Sequence, residues 1–298
     1  MKKSKLSNSK VLIIASMHRS GSSLTASLLQ SAGLHIGERL LQAYPSNIKG
    51  HFENLDFFEF HRAVLKSQGL HEDGWTFEEN IEVNSDFSEK AREIINKNFC
   101  YPYWGWKDPR TTLFLEFWAE LLPEAQFLFI YRAPWEVVDS LRRRKTDAIL
   151  RSEPNLAVRF WLHYNKRILD FSEKNSPQRC LLANIETIVK YPENYVEAIN
   201  DKFKVVLEKP AETIYDSSIW HRQRGDSYRP KLINYFFPEA IQMYERLEEI
   251  GWHPQGKPDV SWRELIKSSP VAQIQAGLGR SRDRLEKIKA DLKDSRLL

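Results

Sequence analysis

The stretch Val11-Leu12-Ile13-Ile14-Ala15-Ser16-Met17-His18-Arg19-Ser20-Gly21-Ser22-Ser23-Leu24 places one cation and several hydroxyls in a small-residue loop. An apolar run precedes the loop, and an amphipathic segment carrying Leu24, Leu28 and Leu29 follows it. Such a run predicts a buried strand, and Ser22 or Ser23 is expected to cap the helix that follows. A strand feeding a loop and then a helix N-terminus aims backbone N–H groups and the positive helix end at one point. Arg19 adds a fixed charge there, so the chemistry is anion binding, with phosphate or phosphosulfate the natural guest. The loop is not the standard nucleoside-triphosphate motif, which needs a Gly, four residues, then Gly-Lys-Ser/Thr. Here the basic residue precedes Gly21, and no Lys followed by Ser or Thr stands after it.

The elements that must hold this loop are legible around it. Strands are expected at about 10–16 and 126–131, with Cys180 to Ala183 a third. Helical patterns run over Leu24–Ala32, Asp56–Ser67, Phe87–Phe99, Leu113–Leu122, Pro134–Lys145 and Leu156–Phe171. Strands alternating with helices imply an α/β fold, a three-layer parallel sheet flanked by helices. Ligands of such sheets bind outside the carboxyl ends of the strands, where Arg19 and Arg132 both fall. There is no internal repeat.

Arg19-Ser20-Gly21-Ser22-Ser23 resembles the P-loop-like 5′-phosphosulfate loop of sulfotransferases that use 3′-phosphoadenosine-5′-phosphosulfate (PAPS), which likewise follows the first strand. A second segment strengthens the resemblance. Gln126-Phe127-Leu128-Phe129-Ile130-Tyr131-Arg132 is a strand pattern ending in Arg, with Pro134 suited to a first helical turn. Arg132 and Ser140 resemble that family's 3′-phosphate clamp. A planar guanidinium grips phosphate oxygens in pairs, and a hydroxyl supplies a further donor. For Ser140 alone the plain alternative is a solvated helix position. Trp220-His221-Arg222-Gln223-Arg224-Gly225-Asp226 is similar in part to the family's late basic segment, which makes Arg222 and Arg224 candidate nucleotide contacts; the alternative is two solvated loop arginines.

Between these motifs lies Gly105-Trp106-Lys107-Asp108-Pro109-Arg110-Thr111, looser in its match to the family's central lysine element. The resemblance implies that Lys107 reaches the transferring sulfuryl oxygens. Asp108 and Arg110 equally suit a turn held by an ion pair. The family takes its general base from His or Glu, and Lys49-Gly50-His51-Phe52-Glu53-Asn54 stands where the Glu branches carry theirs. Glu53 is the first candidate, His51 the second and Asp108 the third; against Glu53 stands the plain reading of a carboxylate favoured near a helix N-terminus. Tyr101, Tyr103, Trp104 and Trp106 suit stacking on a sugar or adenine, and at least two of them are expected in the core.

The function implied is transfer of a sulfuryl group from PAPS to a hydroxyl of a carbohydrate or other small acceptor, releasing 3′,5′-adenosine bisphosphate. The resemblance implies no metal. A nucleotide-dependent kinase on a related fold and a non-catalytic nucleotide-binding module are the alternatives. Composition sets bounds. A net charge of +4 over 298 residues, from 44 Lys+Arg against 40 Asp+Glu, is too small to argue for nucleic acid. The cluster Arg142-Arg143-Arg144-Lys145 is either an anion-attracting patch or a solvated helix face. Cys100 and Cys180, far apart, suggest neither a zinc site nor a disulfide framework, only reduced thiols. Val11 to Ala15 is shorter than the roughly 7–15 apolar residues of a secretory signal, and no stretch approaches the roughly 20 needed to span a bilayer. A cytoplasmic protein is expected. Residues 1–9 are expected to be disordered and 10–252 to form the catalytic domain. Residues 253–298 read as a linker and a charged helix, with Leu285, Ile288 and Leu292 at helical spacing and available for self- or partner association.

Overall fold

The computed structural model describes residues 9–41, 51–144, 149–150, 153, 155–174, 177–211, 229–257 and 260–267. Four strands, β1 (Lys10–Ser16), β2 (Tyr103–Lys107), β3 (Gln126–Tyr131) and β4 (Cys180–Asn184), form one sheet in the order β2-β1-β3-β4. Every pairing is parallel. A parallel sheet is covered on both faces, so its strands are apolar throughout rather than alternating. All residues of β1 after Lys10 are buried accordingly.

Successive β1 side chains feed opposite layers. Leu12 and Ile14 join Leu128, Ile130, Leu181 and Ala183 beneath α1 (Ser22–Ser31), α7 (Ile185–Lys190) and α8 (Pro192–Phe203). Val11, Ile13 and Ala15 join a larger core. It is covered by α2 (Leu55–Ser67), α3 (Ser85–Asn98), α4 (Leu115–Leu121), α5 (Pro134–Arg144), α6 (Leu156–Lys174), α9 (Arg229–Phe236) and α10 (Pro238–Ile250). The three-layer α/β architecture is the one the alternating pattern predicts.

β2 is the element the pattern does not announce, because Trp104-Gly105-Trp106 offers aromatics around a strand-weakening Gly. The sheet needs that Gly: a Cβ on Gly105 would lie 1.7 Å from the Leu12 carbonyl oxygen, its partner in register. Trp104 and Trp106 are fully buried, so these two aromatics are core. Tyr101 instead stacks on His35, with ring centroids 3.5 Å apart. The outer edge of β2 is occupied by the chain at His35, which donates its N–H to Tyr103 O and accepts from Gly105 N.

Helix ends also differ in detail. The cap of α1 is Gly21, which has no side chain to cap with, whereas Ser22 and Ser23 lie inside the first turn. Ser23 Oγ donates instead to His51 O at 3.1 Å. The expected helix over Leu113–Leu122 divides into a 3-10 turn, Pro109–Phe114, and α4. Asp108 accepts from Arg110 N and Pro109 occupies the first position, which tightens that turn. Trp262, within the segment read as linker, is buried against Trp135 and Tyr244 just before α11 (Arg263–Lys267). The helical pattern at Leu285, Ile288 and Leu292 lies outside the described residues, as do residues 1–8, Lys145, Arg222 and Arg224.

Candidate active site

The chain leaves β1 for β2 on one side and returns to β3 on the other. This makes the carboxyl ends of β1 and β3 the switch point where such sheets bind ligands. The loop of residues 17–21 and α5 meet there. Arg19 Nε donates to Ser140 Oγ at 3.0 Å, joining residues 121 positions apart. Ser140, a candidate for a solvated position by sequence, is buried.

The loop's backbone is unusual. Arg19 takes φ 67 and Gly21 takes φ 93, a left-handed conformation rare for side-chain-bearing residues. A Cβ on Gly21 would sit 2.3 Å from Ile185 Cγ1, so the loop packs on α7 only because Gly stands there. No acidic side chain occupies the first turn of α1, and no side chain caps it. Among the described residues, the fully buried Ser20 Oγ has no hydrogen-bond partner. An orphaned hydroxyl beside an uncapped helix start and a guanidinium fits an anion.

Arg132 directly follows β3. Its Nε is bound by Glu136 Oε2 at 2.7 Å, and its carbonyl accepts from Trp161 Nε1 at 3.0 Å. This buried pair sets the orientation of the guanidinium. Of the basic cluster, Arg142 and Arg143 are exposed and Arg143 pairs with Asp139, as does Arg229 from α9.

A second group lies at the end of β2. Lys107 Nζ is 2.7 Å from Glu53 Oε1, and both side chains are buried. Arg110 Nη1 lies 3.8 Å from Glu53 Oε2 and donates to Asp108 Oδ1 at 2.8 Å. The same guanidinium donates from Nε to Glu72 O at 2.9 Å and from Nη2 to Asp73 Oδ1 at 3.0 Å. Asp108 Oδ2 meets His61 Nδ1 at 3.0 Å, and Trp118 Nε1 meets His61 Nε2 at 2.9 Å. An indole N–H only donates, so His61 Nε2 accepts and Nδ1 carries the hydrogen given to Asp108.

Burial opposes the charge on Asp108, but Arg110 and His61 outweigh it and hold the carboxyl well below the usual carboxylate range. Burial likewise opposes the charge on Arg110, yet Asp108, Glu53 and Asp73 drive its affinity for the proton still higher. Asp73 is lowered too, where Arg110 overcomes its partial burial. Asp108 is therefore committed to its partners, while Glu53 sits at the end of the chain of charges.

Hydrogen bonds join the groups. Ser23 ties the start of α1 to His51, two residues before Glu53. His18 Nε2, in the anion loop, meets Asp73 O at 2.9 Å while its ring lies on Trp75. Before Glu53, Phe52 takes φ 53, costly for a bulky residue and sustained by its packing on the α1 core. Asp73, His61, His18 and Trp118 carry no motif; two stand within patterns read only as helices, and nothing local marks them. Among the described residues no group of three or more His, Cys, Asp or Glu is placed to hold a metal.

The chain belongs to the Sulfotransferase family, whose profile it matches over residues 12–209. That range covers the anion loop, the Lys107 element and Arg132 with Ser140. Among curated proteins, none matches this chain. Solved structures similar to it include the sulfotransferase from Alicyclobacillus acidocaldarius, at 15% identity and TM-score 0.49, covering 81% of this chain and 96% of that one. The sulfotransferase domain of the Synechococcus PCC 7002 olefin synthase shares 16% identity at TM-score 0.46, covering 82% and 97%. Sulfotransferase STF1 from Mycobacterium tuberculosis shares 11% identity at TM-score 0.45, covering 80% and 76%. Membership of the family makes the protein an enzyme of sulfuryl transfer. Among the described residues no helix is long and apolar enough to cross a membrane.

Proposed function

We propose that the sulfuryl donor is PAPS and the acceptor a hydroxyl of a carbohydrate or other small molecule. The observation that carries this reading is the Arg19–Ser140 hydrogen bond. It brings the loop suited to a 5′-phosphosulfate against the helix carrying the 3′-phosphate clamp, which supports one nucleotide touching both. Arg19, the orphaned Ser20 hydroxyl and the N–H groups of Gly21, Ser22 and Ser23 would bind the 5′ end. Arg132 and Ser140 would bind the 3′-phosphate, with Arg222 and Arg224 as further contacts from outside the described residues. Cys100 and Cys180 are free thiols, which supports a reducing compartment such as the cytoplasm.

In this reading Glu53 accepts the acceptor's hydroxyl proton, with His51 the second candidate. The acceptor oxygen forms a bond to sulfur while the bond from sulfur to the bridging phosphate oxygen breaks. That oxygen keeps the electron pair, and Arg19 with the loop N–H groups stabilises the charge arriving there. Lys107 neutralises the sulfuryl oxygens. Catalysis of this kind rests on positioning and fixed charge.

Calorimetric titration with 3′,5′-adenosine bisphosphate, beside ATP-magnesium, tests the donor. Metal-independent binding of the bisphosphate is expected. Preference for ATP-magnesium would overturn the reading in favour of a kinase.

A further inference from the structure

Glu53 and Lys107 pose a conflict that rests on the functional reading above. At 2.7 Å they neutralise each other, yet one is to take a proton while the other serves the sulfuryl oxygens. Lys107 must leave Glu53 for both to act. Its ammonium rotates on a four-carbon stem, and among the described residues Glu53 is its hydrogen-bond partner. Arg110 cannot leave. Its three nitrogens are fastened to Glu72 O, Asp108 Oδ1 and Asp73 Oδ1 at 2.9, 2.8 and 3.0 Å. Asp108 in turn is fastened to His61, and His61 to Trp118.

We propose that Arg110 is a positioning residue that keeps Glu53 ionised and aimed when Lys107 turns to the sulfuryl group. Its 3.8 Å separation from Glu53 Oε2 is an ion-pair distance rather than a hydrogen-bond distance, so it supports the negative charge without engaging a lone pair. The rigid guanidinium is the standing counter-charge and the ammonium is the mobile one. Asp108 and Asp73 hold the guanidinium in place, and their own negative charges temper its pull on Glu53. Among the described residues, the charged and titratable groups around Glu53 are Lys107 on β2, Arg110 and Asp108 at the 3-10 turn, and Asp73 after α2. His61 on α2 backs Asp108, His18 meets Asp73 from the anion loop, and His51 precedes Glu53 in its own segment.

The test needs no acceptor. In Lys107→Met protein labelled with carbon-13 at glutamate carboxyls, the Glu53 signal is identified by its loss in Glu53→Gln. Its protonation is followed with pH, with and without Arg110→Gln. Removing Arg110 is expected to raise the midpoint by up to about 3 pH units, the Coulomb attraction at this separation under an effective dielectric near 20. Arg110→Lys, which keeps the charge, should return it towards the parent value. Asp73→Asn, at a half-exposed carboxyl, should shift it the opposite way, downward. Identical midpoints with and without Arg110, in proteins that keep native melting transitions, would overturn the proposal. Should the Arg110 variants not fold, Asp73→Asn decides: a downward shift supports the proposal and no shift overturns it. Bisphosphate binding by the unsubstituted protein is measured separately, so its absence overturns the donor reading while the titration still reports on Arg110.

Discussion

Gly21→Ala isolates the cost of building the anion loop, because Gly33 supplies a matched control. Both glycines take positive φ, 93 and 99 respectively. A Cβ on Gly33 would meet nothing within 4 Å, whereas on Gly21 it would meet Ile185 Cγ1 at 2.3 Å and Cδ1 at 2.7 Å. Gly33→Ala therefore reports backbone strain alone, about 1–2 kcal/mol for a left-handed conformation. Gly21→Ala carries the same strain plus the clash with a fully buried side chain, a further 1–3 kcal/mol or about 2–5 in total. Equilibrium urea unfolding of the two variants reads the difference. Ile185→Ala supplies the second check. Alone it should destabilise by about 2–5 kcal/mol through the cavity it leaves. Combined with Gly21→Ala it should cost less than the two separate losses added together, because the new methyl enters that cavity. Bisphosphate affinity should fall in Gly21→Ala and stay unchanged in Gly33→Ala, since only the first displaces the start of α1. Equal destabilisation by the two glycine substitutions, or strict additivity with Ile185→Ala, would refute the claim that Gly21 lets the loop seat on α7.

Other outcomes follow from the same geometry. Arg132→Ala should weaken 3′,5′-adenosine bisphosphate by about 1.5–3 kcal/mol, roughly 10- to 150-fold, while barely changing 5′-AMP. Because it also strands the buried Glu136, calorimetry should be repeated in Arg132→Ala/Glu136→Gln, where the same selectivity is expected. The lowered carboxyl of Asp108 stabilises the fold above its ordinary pKa of about 3.9, and that contribution is lost as pH falls below it towards the depressed native value. Stability measured by urea unfolding should therefore decline less steeply below pH 4 in Asp108→Asn than in the parent. Burial pushes the Cys180 thiol up to about 11, against the pull of Arg179. A thiol reagent at pH 8 should modify the part-exposed Cys100 and reach Cys180 only on unfolding.

The sheet's frame and the anion loop are legible in the sequence, because both are written locally. Val11 to Ala15 and Phe127 to Tyr131 are continuous apolar runs, and such runs specify buried parallel strands. The order cation, hydroxyl, Gly, hydroxyl, hydroxyl after a strand specifies donors converging at a helix start, whichever residue caps it. Two details of the same kind were hidden. β2 carries a Gly that weakens a strand in isolation and is required only by the approach of the Leu12 carbonyl. The cap of α1 fell to Gly21 because Ile185 demands a residue without a Cβ there.

Tertiary structure alone decided how the charged residues share their work. Glu53, Asp73, Lys107 and Arg110 come from two regions of the chain, and their ion pairs exist only because the chain at 51–53 and the turn at 71–74 fold against the end of β2. Ser140 gains its meaning from Arg19 across the β1–β3 junction. No local pattern encodes such pairings, because the attraction between two charges depends on their separation and burial. Both are properties of the packed chain.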